Sequence, residues 1–259
     1  MKLVDTHSHM YLPQFEDDLN ACMEEAKSDG VVYTILPNID VNSIPQLQGL
    51  KNAFPNQCGS MMGLHPCSVR ADFREQLDTI YTELTSGNYL AVGEIGIDLY
   101  WDKSNLPEQI EAFEIQIDWA KEHSLPIAIH ARESFDEIFE VLDRKHDDRL
   151  RGVFHCFTGN SDQAARALDY SGFYLGIGGV VTFKNSGLDK VVREIDLKHL
   201  VLETDAPYLS PHPFRGKRNE TKRTRLVAEK VADVQGKSIE EVARITTENA
   251  KNLFDLHEI

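Results

Sequence analysis

The sequence predicts a single α/β domain, a (β/α)8 TIM barrel whose active site lies at the C-terminal ends of its strands. Eight short apolar, β-branched runs alternate with helical patterns, as parallel β/α units require. The chain has 259 residues, and a barrel of this kind typically takes about 250. Polar residues able to bind metal follow the runs one after another, at the face where such barrels carry their chemistry. Eight units at this length favour a closed barrel over the runner-up, a doubly wound open sheet. No Gly-x-Gly-x-x-Gly opens a helix after the first run, so a dinucleotide site has no support. No linker, repeat or low-complexity segment divides the chain, and one domain over 1–259 is expected.

Taken in order, strands are expected near Leu3-Val4, Val31-Leu36, Gly59-Leu64, Tyr89-Val92, Ile127-Ile129, Gly152-Phe154, Phe173-Ile177 and Leu200-Leu202. Helices are expected near Phe15-Lys27, Ser43-Ala53, Glu75-Ser86, Pro107-His123, Ser134-His146, Asp162-Ser171, Leu188-Glu194, Arg223-Gln235 and Ser238-Leu253. In the fourth helix Pro107 suits the first helical position. Ile110, Phe113, Ile117 and Ala120 recur there at helical spacing and form one buried face. Ser238 with Glu241 three residues on reads as a capping box for the last helix.

The ends of these runs carry the chemistry. If Leu3 to His9 is a strand tip, Asp5, His7 and His9 point into one space. Two imidazoles two residues apart can grip one ion. His65 ends the third run, Glu94 the fourth, His130-Ala131-Arg132 the fifth, His155 the sixth and Asp205 the eighth; the second and seventh offer only Asn38 and a glycine-rich stretch. Burying so many imidazoles and carboxylates without a cation would be costly. Mixed histidine and carboxylate donors suit zinc, manganese or iron, and carboxylate-rich subsets accept magnesium. The set is too large for one four-coordinate ion. Two divalent ions (Mg, Mn or Zn) bridged by Glu94 are therefore expected, with His7, His9 and Asp205 at one and His130 and His155 at the other. Cys156 directly follows His155, and on a strand the two would face opposite sides, which argues against Cys156 as a ligand.

The stretches Asp5-Thr6-His7-Ser8-His9, Gly63-Leu64-His65-Pro66, Val92 to Asp98, Pro126 to Arg132, His155 to Gly159, Leu202 to Leu209 and Arg215 to Glu220 occur in order across nearly the whole chain. In them the sequence resembles the TatD-type metal-dependent deoxyribonucleases, within the metal-dependent hydrolase superfamily. The metal assignment above agrees with that family's pattern. The chain departs from it at Thr221, where the family usually carries proline, and at Leu99, in a stretch often richer in tyrosine. The resemblance implies two-metal hydrolysis of phosphodiester bonds in DNA, with RNA not separated from DNA, and trimming of single strands from the 3′ end. Asp205 is then the expected general base. His65, not needed as a ligand, is expected on the phosphate, and Glu94 completes the catalytic set. The alternative is a metal-dependent hydrolase of another ester or amide, such as an aminoacyl-tRNA deacylase. Cyclic amidases of the superfamily often bridge their metals with a modified lysine after strand four, and Glu94 at that position disfavours them.

The net charge of -15 argues against broad adhesion to nucleic acid or anionic membrane, but not against a nucleic-acid substrate held by local charge. Local charge is present: between Phe214 and Arg225 six cations stand against one Glu220. Arg215 and Lys217, with Arg132, are the expected substrate contacts, arginine being suited to bidentate phosphate binding. Lys222, Arg223 and Arg225 read as a solvated helix face. Tyr100, Trp101, Phe183 and Tyr208 sit in loops on the same side, where stacking on bases and ordinary loop packing are equal alternatives. Four scattered cysteines without a Cys-x-x-Cys pair read as reduced thiols. No apolar stretch approaches the ~20 residues a membrane span needs. No signal-peptide pattern precedes the first run, so a cytoplasmic location is expected. No obligate protein partner is implied.

Overall fold

The computed structural model describes residues 1–256. Its eight strands are β1 (Leu3–Asp5), β2 (Val31–Leu36), β3 (Cys58–Met62), β4 (Ala91–Asp98), β5 (Ile127–Arg132), β6 (Gly152–Phe154), β7 (Phe173–Ile177) and β8 (Leu200–Leu202). They are parallel, and each pairs with the next in chain order. The sheet closes between β8 and β1. Thr6 N–H donates to Leu202 O (3.0 Å), Asp205 N–H to His7 O (2.9 Å) and His9 N–H to Ala206 O (2.7 Å), beside a bridge of Ser8 to Ala206. The fold is the expected TIM barrel.

The helices are α1 (Leu19–Ser28), α2 (Ile44–Ala53), α3 (Phe73–Ser86), α4 (Leu106–Glu122), α5 (Phe135–Lys145), α6 (Ser161–Asp169), α7 (Leu188–Glu194), α8 (Thr224–Gln235) and α9 (Ile239–Phe254). Their ends follow local chemistry. Asp136 and Glu137 open α5 while Arg144 and Lys145 close it, matching the helix dipole at both ends. Asn160 and Gln163 cap each other reciprocally at the start of α6. In α4, Leu106 takes the first position and Pro107 the second. Phe113, Ile117 and Ala120 are buried as expected, whereas Ile110 is half-buried.

Other differences from expectation have local causes. Phe15 lies in a separate 3-10 turn, Pro13–Phe15, and α1 starts only at Leu19. Ser238 does accept from Glu241 N–H (3.1 Å), but the reciprocal arm is not made. The Glu241 carboxylate instead accepts from Lys237 Nζ (2.6 Å), so only half of the expected box forms. The β4 strand runs six residues past Val92, carrying Glu94 inside it.

Strand alternation separates two cores. Leu3, Leu36, Met62, Val92, Ile129, Phe154, Leu175 and Leu202 face the helices. Val4, Ile35, Met61, Ala91, Ala128, Val153 and Val201 form a separate inner cluster, and Leu253, Phe254 and Leu256 at the end of α9 pack onto it. Each fully buried aliphatic or Phe side chain contributes roughly 1.5–3 kcal/mol. With one end filled by apolar side chains, polar groups collect at the other. Among the described residues no helix is long and apolar enough to cross a membrane.

Candidate metal centre

The β1 strand ends at Asp5, and His7 and His9 lie just beyond it. The backbone bonds that close the barrel hold this extension, so the two-residue spacing still brings both rings to one side. Asp5 does not join them. Its carboxylate accepts from Thr204 N–H (2.9 Å), Thr204 Oγ1 (2.6 Å) and Thr221 Oγ1. Thr221 is fully buried and also meets Thr34 Oγ1 at 3.2 Å. The residue that departs from the family pattern thus begins a short 3-10 turn, Thr221–Arg223, and braces the strand that carries the histidines.

Glu94 sits between two groups of imidazoles. Its Oε2 lies 3.1 Å from His7 Nε2 and 3.5 Å from His9 Nε2, and His9 Nε2 is also 3.5 Å from Asp205 Oδ1. Its Oε1 lies 2.7 Å from His130 Nδ1, 3.3 Å from His65 Nε2 and 3.6 Å from His155 Nε2. His155 Nε2 also reaches Asp205 Oδ1 at 3.9 Å. All six expected ligands therefore converge, and His65 stands as near to Glu94 as they do. With metal–ligand bonds of about 2.1 Å, ligand atoms on one ion lie roughly 3.0–3.5 Å apart. The spacings of His7 and His9 to Glu94 and of His9 to Asp205 match, and those of His130 and His155 to Glu94 lie within a few tenths of an ångström of that range, so the donor set fits divalent cations with small adjustments. His7, His9 and Glu94 form one such group and His7, His155 and Asp205 another; His65, Glu94 and His130 form a third.

The charges are set by this crowding. Burial, then the His155 ring stacked 3.3 Å away, pulls the His7 imidazole down to about 4. Burial also opposes a charge on His155, but Glu203 and Glu94 outweigh it and lift the ring to about 9. Burial alone would raise Glu94; His65, His7 and His155 instead hold it well below the ordinary carboxylate range. Against the same burial penalty, a hydrogen bond from His9 and the charges around it keep Asp205 low. Both carboxylates are anionic at neutral pH, as metal ligands must be.

A supporting layer holds these groups. His130 Nε2 meets Asp98 Oδ2 at 2.8 Å, which leaves Nδ1 for the centre. Burial opposes ionisation of Asp98, but its bond from His130 brings it down to about 2. Gln109 of α4 grips Asp98, its Oε1 accepting from Asp98 N–H (2.8 Å) and its Nε2 donating to Asp98 O (3.1 Å). His155 Nδ1 stands 2.9 Å from Glu203 Oε1, close enough to pair though not aligned for a hydrogen bond. Gly176 makes room for Glu203, since a Cβ there would meet Glu203 Oε2 at 2.3 Å. Gly96 has φ +138°, and its Cβ would meet His130 O at 2.2 Å, so only glycine lets β4 and β5 approach here. Asp205 has φ +56°, a left-handed backbone that non-glycine residues adopt at a cost and that concentrates at functional sites.

His9, His65, Glu94, Asp98, His130, His155 and Asp205 line a cavity of about 640 Å³. Arg132 borders it, its guanidinium 3.8 Å above the Tyr100 ring. Among the described residues the most exposed large apolar side chains, Met1 apart, are Tyr100, Trp101, Tyr208 and Leu209. They follow β4 and β8, on opposite sides of the mouth. Arg215 and Lys217 lie outside this cavity. Arg215 borders an adjoining one. The remaining basic residues of that segment are tied to carboxylates: Arg218 to Asp18, Lys222 to Glu25, Arg223 to Glu220 and Arg225 to Glu229.

Cys156 corrects an expectation. Its φ is +45° and β6 has already ended at Phe154, so strand alternation no longer applies. Cys156 lines the same cavity as His155, within ligand range of His155 and Glu203. Burial, then Asp205 and Glu203, push its thiol well above its ordinary value. Burial likewise lifts Cys22 to about 11 and Cys58 to about 12. Cys67 is partly exposed at the cavity wall. We expect a thiol reagent at pH 8 to label Cys67 alone in the native protein and all of the cysteines after denaturation. Rapid native labelling of Cys156, read by peptide mapping, would contradict this picture of a protonated thiol.

The sequence profile described as TatD related DNase matches residues 4–255. The chain belongs to the TatD family. It is 38% identical to the uncharacterized metal-dependent hydrolase YabD of Bacillus subtilis, over 98% of this chain and 100% of YabD. It is 30% identical to the uncharacterized metal-dependent hydrolase YcfH of Escherichia coli, over 99% of this chain and 97% of YcfH. The crystal structure of the TatD homolog YJJV from E. coli K12 superposes with a TM-score of 0.90 at 29% identity, covering 98% of each chain. This TatD-family chain is thus a metal-dependent hydrolase by family and carries a converged set of candidate ligands.

Proposed function

We propose that this TatD-family hydrolase cleaves phosphodiester bonds of DNA with two divalent cations, shortening single strands from the 3′ end. The observation that carries the reading is the position of Glu94, with one oxygen facing His7 and His9 and the other facing His130, His65 and His155. A carboxylate so placed suits a bridge. His7, His9 and Asp205 would complete one site, and His130 and His155 the other. Divalent cations in such a pair supply charge neutralisation on the phosphate and the leaving oxygen and lower the pKa of a water toward ~7.

The chain's own groups supply the rest. Asp205 is anionic and borders the cavity, so it takes the proton of the attacking water. Asp98 holds His130 in one ring orientation, as carboxylates behind metal-binding histidines do, and Glu203 stands 2.9 Å behind His155. His65 is the residue for a non-bridging phosphate oxygen; its Nδ1 accepts from Cys67 N–H (3.0 Å), which leaves Nε2 facing the cavity. Arg132 beside Tyr100 adds a planar cation for phosphate.

The test is hydrolysis of 5′-labelled single-stranded DNA by metal-stripped protein, with magnesium, manganese or zinc added back. The expected result is a metal-dependent ladder of shortening products that Asp205→Asn loses. Folded, metal-loaded protein that leaves DNA intact would shift the reading to another ester, aminoacyl-tRNA first.

A further inference from the structure

Beside the mouth lined by the candidate ligands lies a second cavity of about 470 Å³, between residues 182–186 after β7 and His212 with Arg215 after β8. Four observations set it apart. No carboxylate lines it, in a chain of net charge -15. Lys184 and Arg215 are exposed, and among the described residues neither is ion-paired, unlike the neighbouring Arg218, Lys222, Arg223 and Arg225. The Arg215 guanidinium lies 3.8 Å over the Phe183 ring, which fixes the plane of the fork and leaves its N–H groups without acceptors among the described residues. The two wall segments are clasped, with His212 N–H donating to Thr182 Oγ1 (2.8 Å) and Thr182 Oγ1 donating to Gly179 O (2.7 Å). The cavity is therefore built rather than formed by chance between loose loops.

It also adjoins the mouth. Val180 and Leu209, which border the cavity of the candidate ligands, belong to the same two segments as Thr182 and His212. Anything that fills the mouth and extends past Leu209 on this side meets Arg215 and Lys184 next.

We propose that this cavity is an outer subsite for the phosphate of a nucleotide flanking the scissile bond, received by Arg215 and Lys184. The inference rests on the phosphodiesterase reading above and deepens it. It makes the enzyme selective for strands long enough to reach both places. The polynucleotide is held by a fixed cation pair in an otherwise acidic molecule, which explains how a chain of this net charge accepts a polyanion.

The test compares a ten-nucleotide single strand with a dinucleotide, using the metal-loaded enzyme and a Lys184→Ala/Arg215→Ala double variant. Both side chains are exposed, so the fold tolerates the change. The ratio of kcat/KM for the long over the short substrate is expected to fall roughly tenfold, mainly through KM for the long strand. The salt slope of log kcat/KM for the long strand should fall by about 1.4, the value for two single-strand phosphates that are no longer neutralised. A Lys184→Arg/Arg215→Lys variant keeps both charges and should retain most of that slope. An unchanged ratio, or equal losses on both substrates, overturns the subsite while leaving the phosphodiesterase reading standing. Wild-type enzyme that hydrolyses neither substrate with any metal overturns that reading, and the subsite with it.

Discussion

Replacing Glu94 by alanine is expected to lower phosphodiester hydrolysis by at least about 10³-fold, equivalent to about 4 kcal/mol of barrier. The geometry explains the size. Both Glu94 oxygens face imidazoles, and Glu94 reaches His7, His9, His65, His130 and His155 together, whereas Asp205 reaches His7, His9 and His155. Removing it takes a ligand from both candidate sites at once and leaves His7, His65, His130 and His155 without the carboxylate that stands between them. The fold should survive, because the barrel is closed by backbone bonds and two apolar cores that Glu94 does not join. Circular dichroism and thermal melting check the fold, and metal analysis gives the stoichiometry, expected to drop below two per chain. Glu94→Gln keeps the volume and half the acceptor capacity, so it should retain more metal than Glu94→Ala and still lose most activity. Full turnover of Glu94→Ala at matched metal loading would remove the two-metal assignment.

Much of this architecture is legible in the sequence because the strands are short and mostly apolar and most are followed by a polar residue. The unreadable parts depend on partners distant in the chain. Past Val92, β4 carries Gly93 and Gly96, which weaken a strand reading even though Glu94, Gly96 and Asp98 alternate with Ile95 and Ile97. It stays a strand because β5 pairs with it, Ile95 beside Ile129 and Asp98 beside Arg132. The same pairing sets Asp98 behind His130, which no spacing along the chain announces. Gln109 and Gln116 sit on the apolar face of α4 and look like interruptions of it. In the structure Gln109 holds Asp98, and Gln116 accepts from Leu64 N–H (2.7 Å) just before His65.

Two supporting residues do leave a trace. Glu203 directly follows Leu202, the last residue of β8, and this position sets it beside His155. Thr221 stands where the related sequences usually have proline. A proline lacks the hydroxyl with which Thr221 meets Asp5 and Thr34, so the departure adds a link between β1, β2 and the turn before α8. Cys156 misleads for the opposite reason: alternation ends with β6 at Phe154, and the left-handed backbone at Cys156 turns its side chain back toward the cavity.

Metal affinity is expected to rise at least about tenfold per pH unit between pH 6.5 and 9, with a proton released for each protonated imidazole that becomes a ligand, since His9 and His130 are raised as well as His155. The sign follows from His155. Without metal its imidazole is held up to about 9, by carboxylates that outweigh burial. A ligand must be neutral, so below pH 9 binding must displace that proton, and above it the gain levels off. His7, already down at about 4, is neutral throughout and releases nothing. The metal-free protein shows the converse. A folded-state value above the unfolded value near 6.5 contributes stability that is fully present below pH 6.5 and lost as pH rises through 9. Its melting temperature should therefore fall across that window, and added metal should reverse the fall by replacing protons with cations between the same carboxylates. Calorimetric titration in two buffers of different ionisation enthalpy measures the protons directly. A pH-independent affinity with no proton release would mean that the imidazoles are neutral before metal arrives, so that Glu94 and Asp205 are not paired with imidazolium in the metal-free state.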